Sequence, residues 1–241
     1  MDEKMDNFTE VLDWDTNFFG RKIAKVVVCD SDERYVEEKL SQYKALDFDL
    51  VYIFLPGDFV LSEILCSSYN CRLVDCKLIY NTYVEEEYEV SPQVVEYKGE
   101  ALPLYDLGLQ SGIHSRYRMD PYFAEDDFQR LYKRWIDNSV QYLIADKIFV
   151  FDGGQGIKGF VTVKIQDEDA SIGLIATDSK QRGRGVGSQL LAAVKKYVKD
   201  IGGRHLSVAT QKGNGLACSF YEKNGFSLKS ETNIYHAWLK K

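Results

Sequence analysis

The chain has 241 residues, of which 45% are hydrophobic and 28% are charged, and it carries 30 basic against 37 acidic side chains. This length predicts one or two domains, and the composition is that of a globular protein rather than a disordered or collagen-like chain. The formal charge of −7 argues against a broad positive surface for nucleic acid, although a local basic patch can still hold a phosphorylated ligand.

Neither a secretion signal nor a membrane span is visible in the sequence. The N-terminal segment is acidic, whereas a signal peptide needs a basic start and an apolar stretch of about 7 to 15 residues. No window approaches the roughly 18 consecutive apolar residues of a membrane-spanning helix. We therefore expect a cytoplasmic protein without membrane insertion.

Five cysteines, an odd number, are typical of free thiols in a reducing compartment. Cys66, Cys71 and Cys76 recur at five-residue spacing, which leaves zinc binding as an alternative. These three cysteines lack a C-x-x-C pair and have no histidine nearby in the sequence. We interpret them as core residues and predict no metal site.

The first hundred residues alternate between strand-like and helix-like patterns, which is typical of α/β proteins. In the first predicted helix, Ser31 is the expected N-cap, and Val36, Leu40 and Tyr43 recur at the spacing of one buried face. The predicted elements are, in chain order, a strand over residues 22–29, a helix over 31–46, a strand over 50–54, a helix over 60–68 and a strand over 73–83.

An acidic segment, EEEYEVSP at residues 85–92, interrupts this pattern and cannot bury an apolar face. We place a domain boundary there, so that residues 1–93 form a smaller N-terminal α/β domain and residues 94–241 form the second domain. In the second domain we predict strands over 93–97, 148–151, 159–165, 170–177, 205–211 and 232–239, and helices over 101–112, 128–138 and 216–223. The strands between 148 and 177 are expected to form an antiparallel meander.

The segment from Thr177 to Ser188, TDSKQRGRGVGS, connects this meander to the clearest amphipathic helix in the chain. Gly183, Gly185 and Gly187 let the backbone turn sharply and remove Cβ atoms, so that several N–H groups can point at one anion. The N-terminus of a helix carries partial positive charge. The segment therefore predicts a site for a phosphate or a pyrophosphate.

Two alternatives bear on this loop. Arg182 and Arg184 can add charge-assisted contacts to phosphates, or they can be solvated surface residues. A dinucleotide-binding Rossmann turn also joins a strand, a Gly-rich loop and a helix, but its G-x-G-x-x-G spacing differs from the G-x-G-x-G of this chain. The next strand also lacks the acidic residue that binds a ribose hydroxyl. We therefore favour a phosphate site outside the Rossmann class.

A further pair of polar residues follows the next strand. Asn214 is a candidate N-cap of the short helix over 216–223, and Tyr221 comes seven residues later, within about 20° of Asn214 on the same helical face. The two side chains can line one groove. Taken alone, such a pair is more often a capping residue and a half-buried aromatic residue.

Together, R-x-x-G-x-G at residues 182–187 and N-x6-Y at Asn214 and Tyr221 resemble the GCN5-related N-acetyltransferase (GNAT) superfamily over residues 94–241. The resemblance implies a mixed α/β fold with a split sheet that holds acetyl-CoA as co-substrate. It implies that Asn214 contacts the pantetheine arm and that Tyr221 is the general acid. The implied acetyl-CoA-binding residues are Ile175, Ala176, Thr177, Arg182, Gly183, Arg184, Gly185, Val186, Gly187, Ser188 and Asn214.

Four scattered blocks, WDTNFFG, SRYRMDPYF, LYKRWI and VATQ, resemble bacterial acetyltransferases that modify the 4-amino group of a dTDP-4-amino-4,6-dideoxyhexose for surface polysaccharide. The resemblance implies a small-molecule amine acceptor of the nucleotide-sugar type, with an acceptor pocket to which the N-terminal domain contributes. Arg116, Tyr117 and Arg118 suit a nucleotide diphosphate and its base, with a structural loop as the alternative. Asn17 is a further candidate for the acceptor pocket.

Amide formation from a thioester needs a neutral amine, a stabilised oxyanion and a proton for the departing thiolate. Tyr221 is the predicted acid, whereas His114, Asp120, Glu125 and several N-terminal acids are all candidates for the base, and we select none of them. Three functions stay open: an N-acetyltransferase of a nucleotide amino sugar, an N-acetyltransferase of another amine or a protein N-terminus, and a non-catalytic acetyl-CoA-binding module. A solvent-exposed strand over residues 232–239 is expected to offer a homodimer contact.

Overall fold

The computed structural model describes residues 7–154 and 156–240 and divides the chain into two compact units. Of these described residues, the first unit contains 7–78, 211–213 and 230–240, and the second contains 79–154, 156–210 and 214–229. In the described part of the chain, no helix combines the length and the apolar character that a bilayer span requires.

The first unit is a sheet with helices. Its elements are β1 (Phe8–Val11), α1 (Asp13–Phe19), β2 (Ile23–Val27), α2 (Glu33–Ala45), β3 (Leu50–Pro56), α3 (Glu63–Tyr69), the first part of β4 (Cys71–Tyr83) and most of β10 (Ser227–Trp238). The strand order is β1-β2-β3-β10-β4, in which β2 and β3 are parallel while β1 and β10 are antiparallel to β2 and β3 respectively. The first four residues of β3 are all buried, as expected of a strand inside a sheet.

The N-terminus of α2 corrects one sequence prediction. Asp32, rather than Ser31, is the N-cap, and its carboxylate accepts the N–H groups of Arg34 and Tyr35 at 3.0 and 3.2 Å. A carboxylate at this position satisfies free backbone donors and also complements the positive end of the helix. The predicted apolar face is confirmed, because the core of the first unit contains Val36, Leu40 and Tyr43.

The last strand, β10, is an interior strand, and the prediction of a solvent-exposed strand over residues 232–239 is wrong. Residues 233–238 are buried because β10 lies between β3 and β4. The Asn233 amide donates to the carbonyls of Gly57 and Phe59 at 3.1 and 3.0 Å, which satisfies a polar group inside the unit. The homodimer expected from an exposed strand loses that basis and stays a prediction.

The three cysteines at five-residue spacing make packing contacts or hydrogen bonds within the first unit. Cys66 and Cys71 pack against the core of the first unit, and Cys76 Sγ donates to Glu231 Oε1 at 3.0 Å. Burial raises the pKa of Cys71 to about 12, and burial together with the bond to Glu231 raises the pKa of Cys76 to about 12. Zinc ligands must be thiolates, so these thiols are poor ligands. Among residues 7–154 and 156–240, no three His, Cys, Asp or Glu side chains are grouped as a metal site requires.

These raised pKa values predict a loss of stability at alkaline pH. A thiol in the unfolded chain ionises near pH 8.5, whereas the folded chain keeps Cys71 and Cys76 protonated, so the free energy of unfolding falls as the pH rises from about 8.5 toward 12. We expect the urea midpoint to decrease between about pH 8 and about pH 9.5, below the range in which tyrosines titrate. The double variant Cys71→Ala/Cys76→Ala should show a smaller decrease. An equal decrease in both proteins would contradict the prediction.

The second unit is also a sheet with helices. Its elements are the second part of β4, β5 (Val94–Glu96), α4 (Tyr105–Ser111), α5 (Arg116–Met119), α6 (Glu125–Val140), β6 (Lys147–Asp152), β7 (Ile157–Gln166), β8 (Asp169–Thr177), α7 (Val186–Asp200), β9 (His205–Gln211) and α8 (Gly215–Lys223), with short 3₁₀ helices at Leu102–Leu104 and Ser179–Gln181. The strand order is β4-β9-β8-β7-β6-β5. Strands β5 to β8 are antiparallel, which confirms the predicted meander, and β8 and β9 are parallel.

The acidic segment between β4 and β5 lies along α7. Glu87 pairs with Lys199, and the N–H of Ser91 donates to Gln189 Oε1 at 2.7 Å. Because these contacts tie the segment to α7, it belongs to the second unit. The structural division after residue 78 therefore differs from the predicted boundary at residue 93.

Candidate functional site

The sheet of the second unit opens between β8 and β9. The two strands pair only from Asp169 to Ile172 of β8, although β8 continues to pair with β7 as far as Thr177. The pairing ends at a β-bulge, in which two residues of β8 oppose Thr162 of β7, and the N–H of Leu174 donates to Thr162 Oγ1 at 2.8 Å. A bulge bends its strand. The bulge therefore accounts for the divergence of β8 from β9.

The backbone of β8 beyond the bulge has donors on its open edge. The N–H of Asp178 donates to the carbonyl of Lys158 at 2.9 Å. In an antiparallel pair, alternate residues direct their backbone groups toward the partner strand. Ala176 therefore bonds toward β7, whereas Ile175 and Thr177 direct their N–H groups to the edge from which β9 has diverged. These two donors can meet a carbonyl oxygen in the opening.

The Gly-rich loop adopts backbone angles that favour glycine. Gly183 and Gly185 have φ of +76° and +81°, and Gly185 is the N-cap of α7. Because a glycine cap has no side chain to accept a bond, the first N–H groups of the helix remain for an anion. These donors belong to Val186, Gly187 and Ser188. Arg182 and Arg184 are both exposed beside them.

Gly187 brings the start of α7 against two other parts of the site. A Cβ atom on Gly187 would lie 3.1 Å from Cζ of Phe220 in α8 and 3.5 Å from Oγ1 of Thr177 at the end of β8. Such close approach leaves almost no room for a side chain. The loop, the open edge of β8 and α8 therefore form one site.

Helix α8 carries the two residues that the sequence singled out. Asn214 is its N-cap and accepts the N–H of Ala217 at 3.2 Å, as predicted. Tyr221 is only 3% exposed, and its ring lies 5.4 Å from that of Phe220 and 5.7 Å from that of Phe226. Burial, with a smaller effect of the Cys218 charge, raises the pKa of Tyr221. The phenol is therefore protonated at neutral pH and can donate a proton.

Tyr80 lies beside Tyr221, and the sequence analysis did not select it as a site residue. The Tyr80 hydroxyl donates to Glu222 Oε1 at 3.0 Å, and its ring lies 6.0 Å from the ring of Tyr221. Burial and the bond to Glu222 raise the pKa of Tyr80. In the sequence Tyr80 is one of several alternating residues of a strand that was assigned to the other domain, so no local signal connected it with Tyr221.

The predicted acceptor residues occupy a loop with its own packing. Tyr117 is buried, with the ring of Phe123 at 5.4 Å, and Arg116 Nη2 donates to the Tyr117 hydroxyl at 2.7 Å. These contacts agree with the structural-loop alternative for Arg116 and Tyr117. Arg118 is exposed, and its guanidinium lies 5.4 Å from the ring centre of Phe128. A substrate role for these residues stays a prediction.

The other candidates are in varied surroundings. Asp120 is fully buried and accepts the N–H of Tyr122 at 3.1 Å. His114 is half-buried, and Glu125 is exposed at the start of α6. Asn17 is exposed on α1, in the first unit. His114, Asp120 and Glu125 stay candidates for the general base.

The sequence profile of the Acetyltransferase (GNAT) family matches residues 111–226. The chain contains a GNAT acetyltransferase domain. The matched residues include the open edge of β8, the Gly-rich loop, Asn214 and Tyr221. The protein is thus an acyltransferase, and it takes its acetyl group from acetyl-CoA. The N–H donors of the loop and of the β8 edge fit the pyrophosphate and the thioester carbonyl of that co-substrate.

Two curated relatives and one solved structure illustrate the similarity. The acetyltransferase is 27% identical over 223 residues to dTDP-fucosamine acetyltransferase of Escherichia coli O6:H1, covering 92% of this chain and 94% of that protein. It is 30% identical over 95 residues to mycothiol acetyltransferase of Corynebacterium glutamicum, covering 39% and 32% of the two chains. A GCN5-related N-acetyltransferase from Sphaerobacter thermophilus has a TM-score of 0.62 at 13% identity, covering 98% of this chain and 77% of that one. The predicted mixed α/β GNAT fold is confirmed.

Proposed function

We propose that the protein transfers the acetyl group of acetyl-CoA to the amino group of a nucleotide-linked amino-deoxysugar of the dTDP-4-amino-4,6-dideoxyhexose type. The observation that carries this proposal is the similarity to dTDP-fucosamine acetyltransferase, which extends over 92% of this chain and 94% of that protein. A match of this length extends well beyond residues 111–226, to which the GNAT profile is confined. The product would serve surface polysaccharide synthesis, and the reaction would take place in the cytoplasm, where cysteine side chains stay reduced.

In the proposed reaction the loop and β8 bind the donor. The pyrophosphate accepts bonds from the first N–H groups of α7, with Arg182 and Arg184 beside them, and Asn214 contacts the pantetheine arm. The N–H groups of Ile175 and Thr177 bond the acetyl oxygen, and these bonds strengthen when the oxygen gains negative charge. The backbone of Ala176 bonds toward β7, so Ala176 contributes through packing rather than through a donor.

The neutral amine of the acceptor attacks the thioester carbon, the carbon–sulfur bond breaks, and Tyr221 gives its proton to the departing thiolate. The phenol is fully protonated at neutral pH, so its proton is available when the thiolate departs. The proton that the amine loses passes to a base or to water. Arg118 and Asn17, which are exposed, stay candidates for the acceptor site, together with Arg116 and Tyr117.

A second candidate function is acetylation of another small amine or of a protein N-terminus. The match to mycothiol acetyltransferase favours it, since that protein is named for a different compound. Tyr221, which holds the position of the superfamily's general acid, argues against a non-catalytic acetyl-CoA-binding module.

A direct assay separates these functions. The purified protein is incubated with acetyl-CoA and either dTDP- or UDP-4-amino-4,6-dideoxyhexoses, a polyamine or a peptide, and mass spectrometry measures acetylated product and free CoA. We expect acetylation of a dTDP amino sugar and no product from the matched 4-hydroxy sugar. Product from the polyamine or the peptide alone would contradict the proposal in favour of the second function. Binding of acetyl-CoA without any product would favour the non-catalytic module.

A further inference from the structure

The ammonium group of Lys195 is held at the C-terminus of α8. Lys195 is half-buried on α7, and its Nζ donates to the carbonyl of Asn224, the C-cap of α8, at 2.7 Å. The same ammonium lies 5.2 Å from the ring centre of Phe226 and 5.5 Å from that of Tyr88. A cation stabilises the free carbonyls and the negative end of a helix, and aromatic faces add to the attraction.

Asn224 and Phe226, which contact the Lys195 ammonium, are also hydrogen-bonded to the backbone of Tyr221. The N–H groups of Asn224 and Phe226 both donate to the carbonyl of Tyr221, each at 3.0 Å. The ring of Phe226 lies 5.7 Å from the ring of Tyr221. A displacement of the α8 C-terminus would therefore move Tyr221 directly.

At its other end, α7 begins in the Gly-rich loop. Lys195 comes ten residues after Gly185, so about 15 Å of regular helix joins the anion-binding turn to this ammonium. Close packing at Gly187 brings the start of α7 against Phe220 of α8. These two contacts tie α8, the helix that carries Tyr221, to α7.

We propose that Lys195 is a positioning residue for catalysis, which holds the phenol of Tyr221 in line with the acetyl-CoA loop by bonding α7 to the C-terminus of α8. The inference rests on the proposed role of Tyr221 as the acid. A misplacement of about 1 Å in a reacting group can lower a rate strongly without weakening substrate binding.

The test compares three variants of the full chain. Lys195→Met keeps the length of the side chain without the charge, and we expect kcat to fall about tenfold while KM for acetyl-CoA changes less than about twofold. Lys195→Arg keeps the charge and should recover most of kcat, because Lys195 lines a surface cavity of about 590 Å³ that has room for a guanidinium. The control is Lys196→Met, since Lys196 is the next residue and pairs with Asp200 on the surface.

A double-mutant cycle separates positioning from general support of the fold. If Lys195 acts through Tyr221, Lys195→Met should lower kcat no further in a Tyr221→Phe protein. An unchanged kcat for Lys195→Met, or the same tenfold loss in the Tyr221→Phe background, would overturn the inference. If Tyr221 is not the general acid, Tyr221→Phe alone keeps full kcat, so this outcome is distinguished from a failure of the Lys195 inference.

Discussion

Tyr221→Phe is expected to lower kcat at least about 100-fold while KM for acetyl-CoA changes less than about threefold. The substitution removes only the hydroxyl, and the ring remains packed against Phe220 and Phe226. A 100-fold decrease in kcat corresponds to a loss of about 2.7 kcal/mol of transition-state stabilisation. Steady-state release of free CoA at saturating acceptor measures the effect.

The matched control for this variant is Tyr197→Phe. Tyr197 is half-buried on α7, with its ring 5.9 Å from the ring of Phe149, and it is outside the candidate site. We expect this variant to keep kcat within about twofold. In the parent protein, the raised pKa of Tyr221 should keep kcat constant on the alkaline side up to about pH 10. Full turnover by Tyr221→Phe would show that the proton comes from another group.

Gly187→Val is expected to raise the dissociation constant of CoA about 100-fold or more, which is about 2.7 kcal/mol of binding free energy. The new Cβ would lie 3.1 Å from Phe220 and 3.5 Å from Thr177, so the first turn of α7 must move away from α8 and β8. The two additional methyl groups would also crowd the N–H groups that are proposed to bond the pyrophosphate. Calorimetric titration with CoA measures the change.

A glycine at the other end of the same helix provides the control. Gly202 has φ of +83°, and a Cβ atom placed on it would have no neighbour within 4 Å among the residues that the structure describes. Asn tolerates this left-handed conformation. Gly202→Asn should therefore leave the affinity for CoA within about twofold. If Gly187→Val bound CoA as tightly as Gly202→Asn, the first turn of α7 would not be the pyrophosphate site.

The sequence predicted β8, the Gly-rich loop and α7, because each depends on residues that are close together in the chain. Positive φ angles need glycine at positions 183 and 185, a helix N-cap needs a residue such as Asn214, and an apolar face repeats every three or four residues. The short elements β1 and α1 were not predicted, because all residues of β1 are exposed and only one residue of α1 is buried, so neither has a repeating apolar pattern.

Tertiary structure alone decided the features that depend on distant partners. The alternating pattern of a strand does not name its neighbours, so β10 was predicted to be exposed although it lies between β3 and β4. The bulge in β8, the bond from Tyr80 to Glu222 and the bond from Lys195 to Asn224 likewise join residues far apart in the chain. By itself, then, the sequence determined which residues are candidates to bind and react, and long-range packing determined how they are oriented, because hydrogen-bond direction follows from strand pairing and not from local composition.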